Sequence, residues 1–503
     1  MKILTADAMK LTDKRTMEDN GVTELDLVRR AAAEIFKTVS EKICPPRDAQ
    51  IAVVCGNSNN ASDGFALAGL LLDAGYANTT VFYVSNPDSM KSTCRFFYEG
   101  FKAEFADRLI DPESKAALKE DLSRCDYIID AVVGVGLSGL LRADNAAVVE
   151  CINASDAVII ALDVPTGLDS TTGNYQPCCV QADYTVAIGN LKTGHVLADG
   201  PDRCGEIFLA DIGLNSYDGL EGLTALEPQQ LRSALPRRKN NTNKYDFGSV
   251  LVIGSNASMT GAGIMSALSA LRSGAGLVTL ACPEENYAIA AAKAPLEIMV
   301  KPLRSDLSNL DELLNKKDTI VFGPGLGRDE RYIAVLGSLL PLEKNLIVDA
   351  DGLWYLSRIT NLHEKLRARL IITPHLGEAS VLLKSDPRNL KQDLMMAARR
   401  LASEYEAIAV LKGHNTLIAA PDEELFISLT GNSGMATAGS GDVLAGILAG
   451  ISGKEASLQK TCMGVYLHGM AGDLAMKKYG RRSLIATDII EMIPKAALEA
   501  GID

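Results

Sequence analysis

A series of short, almost purely apolar runs recurs along the chain, nearly every one broken off by Gly, Asp, Thr or Lys. In the first part these are Ile51-Ala-Val-Val, Thr80-Val-Phe-Tyr-Val, Tyr127-Ile-Ile-Asp and Val158-Ile-Ile-Ala-Leu-Asp. Later come Ser249-Val-Leu-Val-Ile-Gly, Thr319-Ile-Val-Phe-Gly, Leu346-Ile-Val-Asp, Arg369-Leu-Ile-Ile-Thr and Ile408-Ala-Val-Leu-Lys-Gly. Strands that are apolar on both faces belong to parallel sheets covered by helices on both sides. Helical patterns separate these runs, so the predicted fold is α/β throughout. Ligands in such folds bind beyond the carboxyl ends of the strands. Each polar residue that ends a strand is therefore a candidate site residue.

At 503 residues the chain is long enough for two large domains or three smaller ones. The boundary falls after Ala210-Asp-Ile-Gly-Leu-Asn, where a polar stretch without a strand of its own begins. We place one domain at 1–215, a linker at 216–230 and a second domain at 231–503. With 50 Lys and Arg against 63 Asp and Glu, the formal charge is −13. Such a balance disfavours broad nucleic-acid or anionic-membrane binding, which depends on neutralising phosphates. No apolar run of about 18 residues is present, so no membrane span is predicted. Neither a secretory h-region in the first residues nor any CxxC pair among the ten cysteines is found. The thiols read as reduced, the expected location is cytoplasmic, and a homo-oligomer is expected.

The sharpest motif is Gly431-Asn-Ser-Gly-Met-Ala-Thr-Ala-Gly-Ser-Gly-Asp, small residues that run up to Asp442, where a helix is predicted to begin. Backbone N–H groups at such a start form an anion pocket, and a carboxylate at its mouth can exchange a proton with a substrate hydroxyl. Three other strand ends carry Gly323-Pro-Gly-Leu-Gly, Thr373-Pro-His-Leu-Gly-Glu and Leu411-Lys-Gly-His-Asn-Thr. The last of these offers a cation and polar donors suited to a nucleotide phosphate or ribose.

Together with Asn243-Lys-Tyr-Asp-Phe-Gly, Asp349-Ala-Asp-Gly-Leu and Tyr466-Leu-His-Gly-Met-Ala-Gly-Asp, these motifs make residues 231–503 resemble the ADP/ATP-dependent NAD(P)H-hydrate dehydratases, a ribokinase-like branch. The family signature usually has Thr at the Ser440 position; Ser keeps the hydroxyl. The resemblance implies a ribokinase-like α/β domain that phosphorylates the ring hydroxyl of S-NADHX or S-NADPHX and eliminates phosphate. By position it places Ala262, Gly325, His375 and Asp442 on the hydrated cofactor. It places Lys412, Gly413, His414, Asn415, Thr416 and Gly441 on ADP or ATP, makes Asp442 the catalytic base and implies Mg2+ at the nucleotide phosphates. The GxGD chemistry by itself leaves open a kinase of small alcohols on the same fold.

The first half carries Cys55-Gly-Asn-Ser-Asn-Asn-Ala-Ser-Asp-Gly between a strand and a helix predicted over 65–72. Ile128-Ile-Asp-Ala-Val-Val-Gly-Val-Gly-Leu-Ser-Gly and Leu162-Asp-Val-Pro-Thr-Gly each put an Asp at a strand end. Such carboxylates can do acid/base work or hold a cation through oxygen ligands. Together the motifs resemble the NAD(P)HX epimerase domain, which implies a Rossmann-like three-layer α/β/α fold and interconversion of the R and S hydrates. By matching position, Asn60, Asp130 and Thr166 would ligate K+, and Asp163 and Asp130 would be catalytic. Asn59, Asn60, Ala61, Ser62 and Asp63 would contact the hydrate, with Asp163 and the segment Gly134, Val135, Gly136, Leu137, Ser138, Gly139 and Leu140. The chain departs from the family at Ser58, Ala61 and Ser62, which stand at glycine positions of its loop, at Val135 in place of Thr, and at Val28-Arg-Arg-Ala-Ala. Each added side chain is expected to crowd a phosphate cradle and restrict positive φ. A first half that binds without turnover is the alternative these substitutions leave open.

Overall fold

The chain divides between Leu223 and Thr224 into two units, with Met1 counted to the second. The computed structural model describes residues 1–86, 89–137, 139–235 and 237–502.

In the first unit, one parallel sheet is built from β1 (Ile51–Cys55), β2 (Thr79–Tyr83), β3 (Leu109–Ile110), β4 (Tyr127–Ala131), β5 (Val158–Leu162), β6 (Tyr184–Ile188) and β7 (Glu206–Ala210). Their order is β3-β2-β1-β4-β5-β6-β7, and every neighbouring pair is parallel. The order reverses at β1, so the carboxyl ends of β1 and β4 flank a switch-point crevice. Alternation along each strand supplies two cores. Val53, Ile129 and Ile160 pack with α2 (Glu24–Thr38) and α3 (Asn59–Asp73), after α1 (Ala6–Asn20) has opened the unit. Val54, Ile128 and Ala161 face the helices Lys115–Leu122 and Ala143–Asn153 on the other side. The result is the three-layer arrangement expected. Gly64 lets α3 lie on the sheet, since a Cβ there would stand 2.6 Å from Ala131 Cβ and 2.8 Å from Cys55 Sγ.

The second unit has β8 (Ser249–Ile253), β9 (Leu277–Pro283), β10 (Met299–Leu303), β11 (Thr319–Phe322), β12 (Asn345–Val348), β13 (Arg369–Ile372), β14 (Ile408–Leu411), β15 (Thr416–Ala419) and β16 (Phe426–Ser428). They run in the order β16-β15-β14-β13-β12-β11-β8-β9-β10. From β10 to β14 the pairing is parallel; β15 and β16 are antiparallel. At this edge the sheet departs from the parallel pairing that the apolar runs predict. Residues 412–415 join β14 to β15, a connection far too short for a parallel crossover and long enough for a hairpin. The polar stretch after residue 215 also needs correction. It contains the strand Gly222–Ala225, whose Thr224 and Ala225 pair with Phe426 and Ile427.

Over this sheet lie α4 (Thr260–Arg272), α5 (Ser440–Ser452) and α6 (Leu458–Tyr479), joined in one core with β8, β9 and β11. Small residues set their spacing. A Cβ on Gly446 would come 2.1 Å from Ser266 O, so α5 presses directly on α4. That close approach, with contacts to β11 and β12, holds the N-terminus of α5 at the carboxyl ends of the strands. Among the described residues no helix is long and apolar enough to cross a membrane.

Candidate active sites

Each unit has a cavity at its strand ends. In the first unit the chain passes from β1 almost directly into α3, with Ser58 as the extended N-cap residue (φ −96°, ψ 177°). The helix thus begins six residues before the predicted one, and Asn59 to Asp63 form its first turns rather than an open loop. Residues with a Cβ suit that conformation, and of the three departures Ser58 alone lines the cavity among the described residues. Ala61 packs into the core beneath, and Ser62 is fully buried. Neither lines the cavity, and none of Ser58, Ala61 and Ser62 is among the residues at positive φ.

The cavity, about 310 Å3, brings together Asn59, Asn60, Asp63, Gly134, Val135, Gly136 and Asp163 from the predicted set. Leu137, Gly139 and Leu140 do not line it, Leu140 being exposed, and Ser138 lies outside the described residues. Gly134 sits between two site groups: a Cβ there would be 3.2 Å from Asn60 Oδ1 and 3.3 Å from Asp163 Oδ2. Asn59 Nδ2 donates to Glu24 Oε1 (2.6 Å), whose other oxygen accepts from Thr93 Oγ1 (2.5 Å), so α2 orients the start of α3.

Asp130 is fully buried at the end of β4. Its Oδ1 accepts from Thr166 Oγ1 (2.7 Å) and Val132 N (3.2 Å), and its Oδ2 from Thr166 N (2.8 Å). Burial raises its carboxyl to about 6, partly offset by those Thr166 and Val132 hydrogen bonds. Among the described residues, neither Oδ1 nor Nδ2 of the buried Asn60 amide has a hydrogen-bond partner. An orphaned amide oxygen, a carboxylate and a hydroxyl are the hard oxygen donors that a weakly Lewis-acidic cation takes.

Asp163 follows β5 with a left-handed backbone (φ 63°). Its Oδ1 accepts from Ile188 N (3.1 Å) and from Lys192 Nζ, and the two side chains form an ion pair. Burial, and next the charge of Asp163, push the Asp63 carboxyl well above the usual range. Asp13, on α1, is raised to about 6, chiefly by burial. Sequence reasoning missed Asp13, Glu24 and Lys192. None sits in a motif, and only the packing of α1 and α2 and the end of β6 brings them to the cavity.

In the second unit a cavity of about 560 Å3 contains Ala262, Gly325, His375 and Asp442. Gly325 (φ 62°) approaches Met259 O and Ala262 so closely that a Cβ would lie 2.8 Å from each. Gly439 (φ 92°) turns the chain into α5, which begins at Ser440, two residues earlier than predicted, so Asp442 lies in its first turn. Burial, and then the charge of Asp349, raise Asp442 to about 7, while Lys412 opposes the rise. A group that titrates there is poised for proton transfer near neutrality.

Beyond β12, Asp349 Oδ1 accepts from Thr373 Oγ1 (2.7 Å) and pairs with Lys412 Nζ. Lys412 also lies 3.6 Å from Glu378, and the two carboxylates hold it protonated despite its burial. A Cβ on Gly441 would stand 3.4 Å from Lys412 Nζ, which places the turn after β14 beside the α5 N-terminus. Lys412 to Thr416 lie outside the cavity itself: Gly413 and His414 are exposed in the hairpin turn, and Thr416 opens β15. His375 caps the helix Leu376–Leu382, its Nδ1 accepting from Gly377 N (3.0 Å) and Glu378 N (3.2 Å), so any ligand contact falls to the Nε2 edge. The sequence pattern assigned no role to Asp349, Glu378 or His468. His468 Nε2 donates to Ser440 O (3.0 Å), and burial drops its imidazole to about 4, so a neutral ring anchors the first residue of α5.

Comparison with known proteins matches residues 24–194 to the family described as YjeF-related protein N-terminus and residues 250–495 to NAD(P)H-hydrate dehydratase. The bifunctional NAD(P)H-hydrate repair enzyme Nnr of Thermofilum pendens is 35% identical over 99% of this chain and 96% of its own length. The enzyme of the same name from Escherichia coli is 31% identical, over 97% of this chain and 93% of its own. An ADP/ATP-dependent NAD(P)H-hydrate dehydratase from Bacillus subtilis, co-crystallized with ATP/Mg2+, is 25% identical with a TM-score of 0.51, and covers 55% of this chain and 99% of its own.

Proposed function

Because the chain belongs to the bifunctional NAD(P)H-hydrate repair enzyme family, we propose that its first unit interconverts R- and S-NAD(P)HX and its second returns the S hydrate to NAD(P)H. The observation that carries this reading is the presence, in each half, of a strand-end cavity holding a carboxylate that can take the proton of a ring hydroxyl.

In the second unit Asp442 takes that proton as the hydroxyl oxygen attacks the terminal phosphoryl group of ADP or ATP. The new O–P bond forms as the bond to the bridging oxygen breaks. In this reading N–H groups at the start of α5 and the Lys412 ammonium balance the phosphoryl charge. Phosphate then departs from C6 with the electron pair of the C–O bond, and loss of a C5 proton completes the C5=C6 double bond. Mg2+ at the nucleotide phosphates supplies charge neutralisation when bound.

In the first unit Asp163 takes the hydroxyl proton as C6–O becomes a carbonyl and the C6–N1 bond opens, its electron pair passing to N1 and the conjugated carboxamide. Closure on the opposite face returns the proton and leaves only the configuration changed. Asn60, Asp130 and Thr166 are the oxygen donors that would hold K+, and the Asn60 amide, without a partner among the described residues, fits that role. All ten thiols are free, which suits a reducing, cytoplasmic setting.

The test is incubation with mixed R- and S-NADHX, Mg2+, K+ and either ADP or ATP, followed by the near-ultraviolet absorbance of dihydronicotinamide. Complete nucleotide-dependent recovery, faster than spontaneous epimerisation, is expected and identifies the donor. Recovery of the S fraction alone would withdraw the epimerase; no recovery would withdraw the dehydratase.

A further inference from the structure

Lys192 is among the largest fully buried side chains of the protein, with 1% exposure, yet it lines the first unit's cavity. A buried ammonium is retained only where its protons are matched by acceptors. Two of them are: Nζ pairs with Asp163 Oδ1 and donates to Ile188 O (2.7 Å). Burying such a cation contributes little to stability compared with an apolar residue of similar volume, so its presence calls for a role at the cavity.

A second buried residue closes the arrangement. His195 Nδ1 accepts from the backbone N of Lys192 (3.1 Å), and its Nε2 donates to the backbone O of Asp163 (2.8 Å). With Nδ1 accepting, the proton is on Nε2 and the imidazole is neutral, in keeping with a burial that lowers it to about 4. The ends of β5 and β6 are thereby tied twice, side chain to side chain through Lys192 and main chain to main chain through His195. The tie holds Asp163 in its left-handed conformation. Asp163 Oδ1 is fully used, while Oδ2 accepts no hydrogen bond among the described residues and lies beside Gly134, in the cavity.

The surroundings explain the need for a cation. Asp13 from α1, Glu24 from α2 and Asp63 from α3 all face this group, and among the described residues Lys192 is the one ammonium buried with them; Lys10 and Lys91 stand at the rim, exposed. Within that acidic lining, Lys192 supplies the positive charge paired directly with Asp163.

From this geometry we infer that Lys192, braced by His195, is the positioning residue of the first unit: it holds Asp163 with Oδ2 aimed at the ring hydroxyl and free to accept its proton. The inference rests on the epimerase reading above, and the experiment separates the two. The full chain is assayed for R-to-S exchange of NADHX, with nucleotide-dependent consumption of the S hydrate by the second unit as an internal control. Lys192→Ala is expected to lower the exchange kcat by at least about 100-fold while KM stays within about threefold. Propylammonium, which can enter the vacated volume, is expected to restore at least about tenfold of the loss, and propanol none of it. His195→Asn is expected to lower kcat less, with the same unchanged KM. Exchange by Lys192→Ala within about threefold of the parent would overturn the inference. So would a loss that propylammonium fails to restore, since that assigns Lys192 to folding alone. A parent protein without exchange activity would instead strike down the epimerase reading.

Discussion

Lys412 Nζ lies 3.0 Å from Asp349 Oδ1, and the two residues act on Asp442 with opposite signs. Asp349 adds a negative charge that raises the Asp442 carboxyl, and Lys412 a positive charge that lowers it. A base must be deprotonated to act, so with Asp442 as the proposed base the acid limb of the dehydration reaction is expected at about pH 7. Asp349→Asn keeps the acceptor for Thr373 and removes the charge; it is expected to move the limb to lower pH. Lys412→Met is expected to move it to higher pH. The check is kcat/KM for the hydrate against pH for the three proteins. Limbs that shift together, or not at all, would remove Asp442 as the titrating base.

Asp442→Asn separates catalysis from stability. Loss of the base is expected to cut the dehydration kcat by about 10²- to 10⁴-fold. Folded-state elevation from 3.8 to about 7 means the folded protein binds this proton more tightly than the unfolded chain. The associated stability is complete below the unfolded value and is lost as pH rises through about 7. At pH 8 the amide avoids that loss, worth up to ~4 kcal/mol. The variant should melt at a higher temperature than the parent at pH 8, and the gap should close on acidification towards pH 4. A variant that is less stable than the parent at pH 8 would contradict the buried, elevated carboxyl.

The framework was legible because its signal is local. Runs such as Val158–Leu162 and Ile408–Leu411 are apolar on both faces, and that pattern alone predicts buried parallel strands. The strand-end residues Asp130 and Asp163 were legible for the same reason, and Asp442 through the run of small residues that leads into α5. What escaped depends on contacts distant in sequence. Asp13 and Glu24 reach the first cavity only because α1 and α2 close over it, and Lys192 only because β6 lies beside β5. The hairpin after Leu411 was hidden by a turn whose Lys-Gly-His-Asn composition serves a ligand loop as well as a chain reversal. The onset of α3 was misjudged because Asn, Ser and Gly favour turns, yet here they occupy a helical turn.

Ala350, in the second cavity, has φ 50° and ψ −123°, a conformation that side chains disfavour. Holding it there costs about 1–3 kcal/mol, against the usual 0.5–1 kcal/mol by which Gly destabilises relative to Ala. Ala350→Gly is therefore expected to leave the melting temperature unchanged or raised, where the same change elsewhere lowers it. Thermal unfolding followed by circular dichroism tests this; a clear drop would show that the Ala350 methyl contributes packing that outweighs the strain.

Ala61→Gly and Ser62→Gly restore residue types common at these loop positions in the resembling family. Were the departures an obstruction, the double variant would accelerate R-to-S exchange. Both residues are fully buried in the first turns of α3, and neither lines the cavity. Removing their side chains cannot widen the space a hydrate occupies, and each Gly in a helix costs about 0.5–1 kcal/mol. The double variant is expected to exchange no faster than the parent and to unfold at a lower temperature. A gain of more than about threefold in kcat/KM, a transition-state effect of ~0.7 kcal/mol, would mean that the α3 N-terminus unwinds to admit the substrate and that these two side chains oppose it.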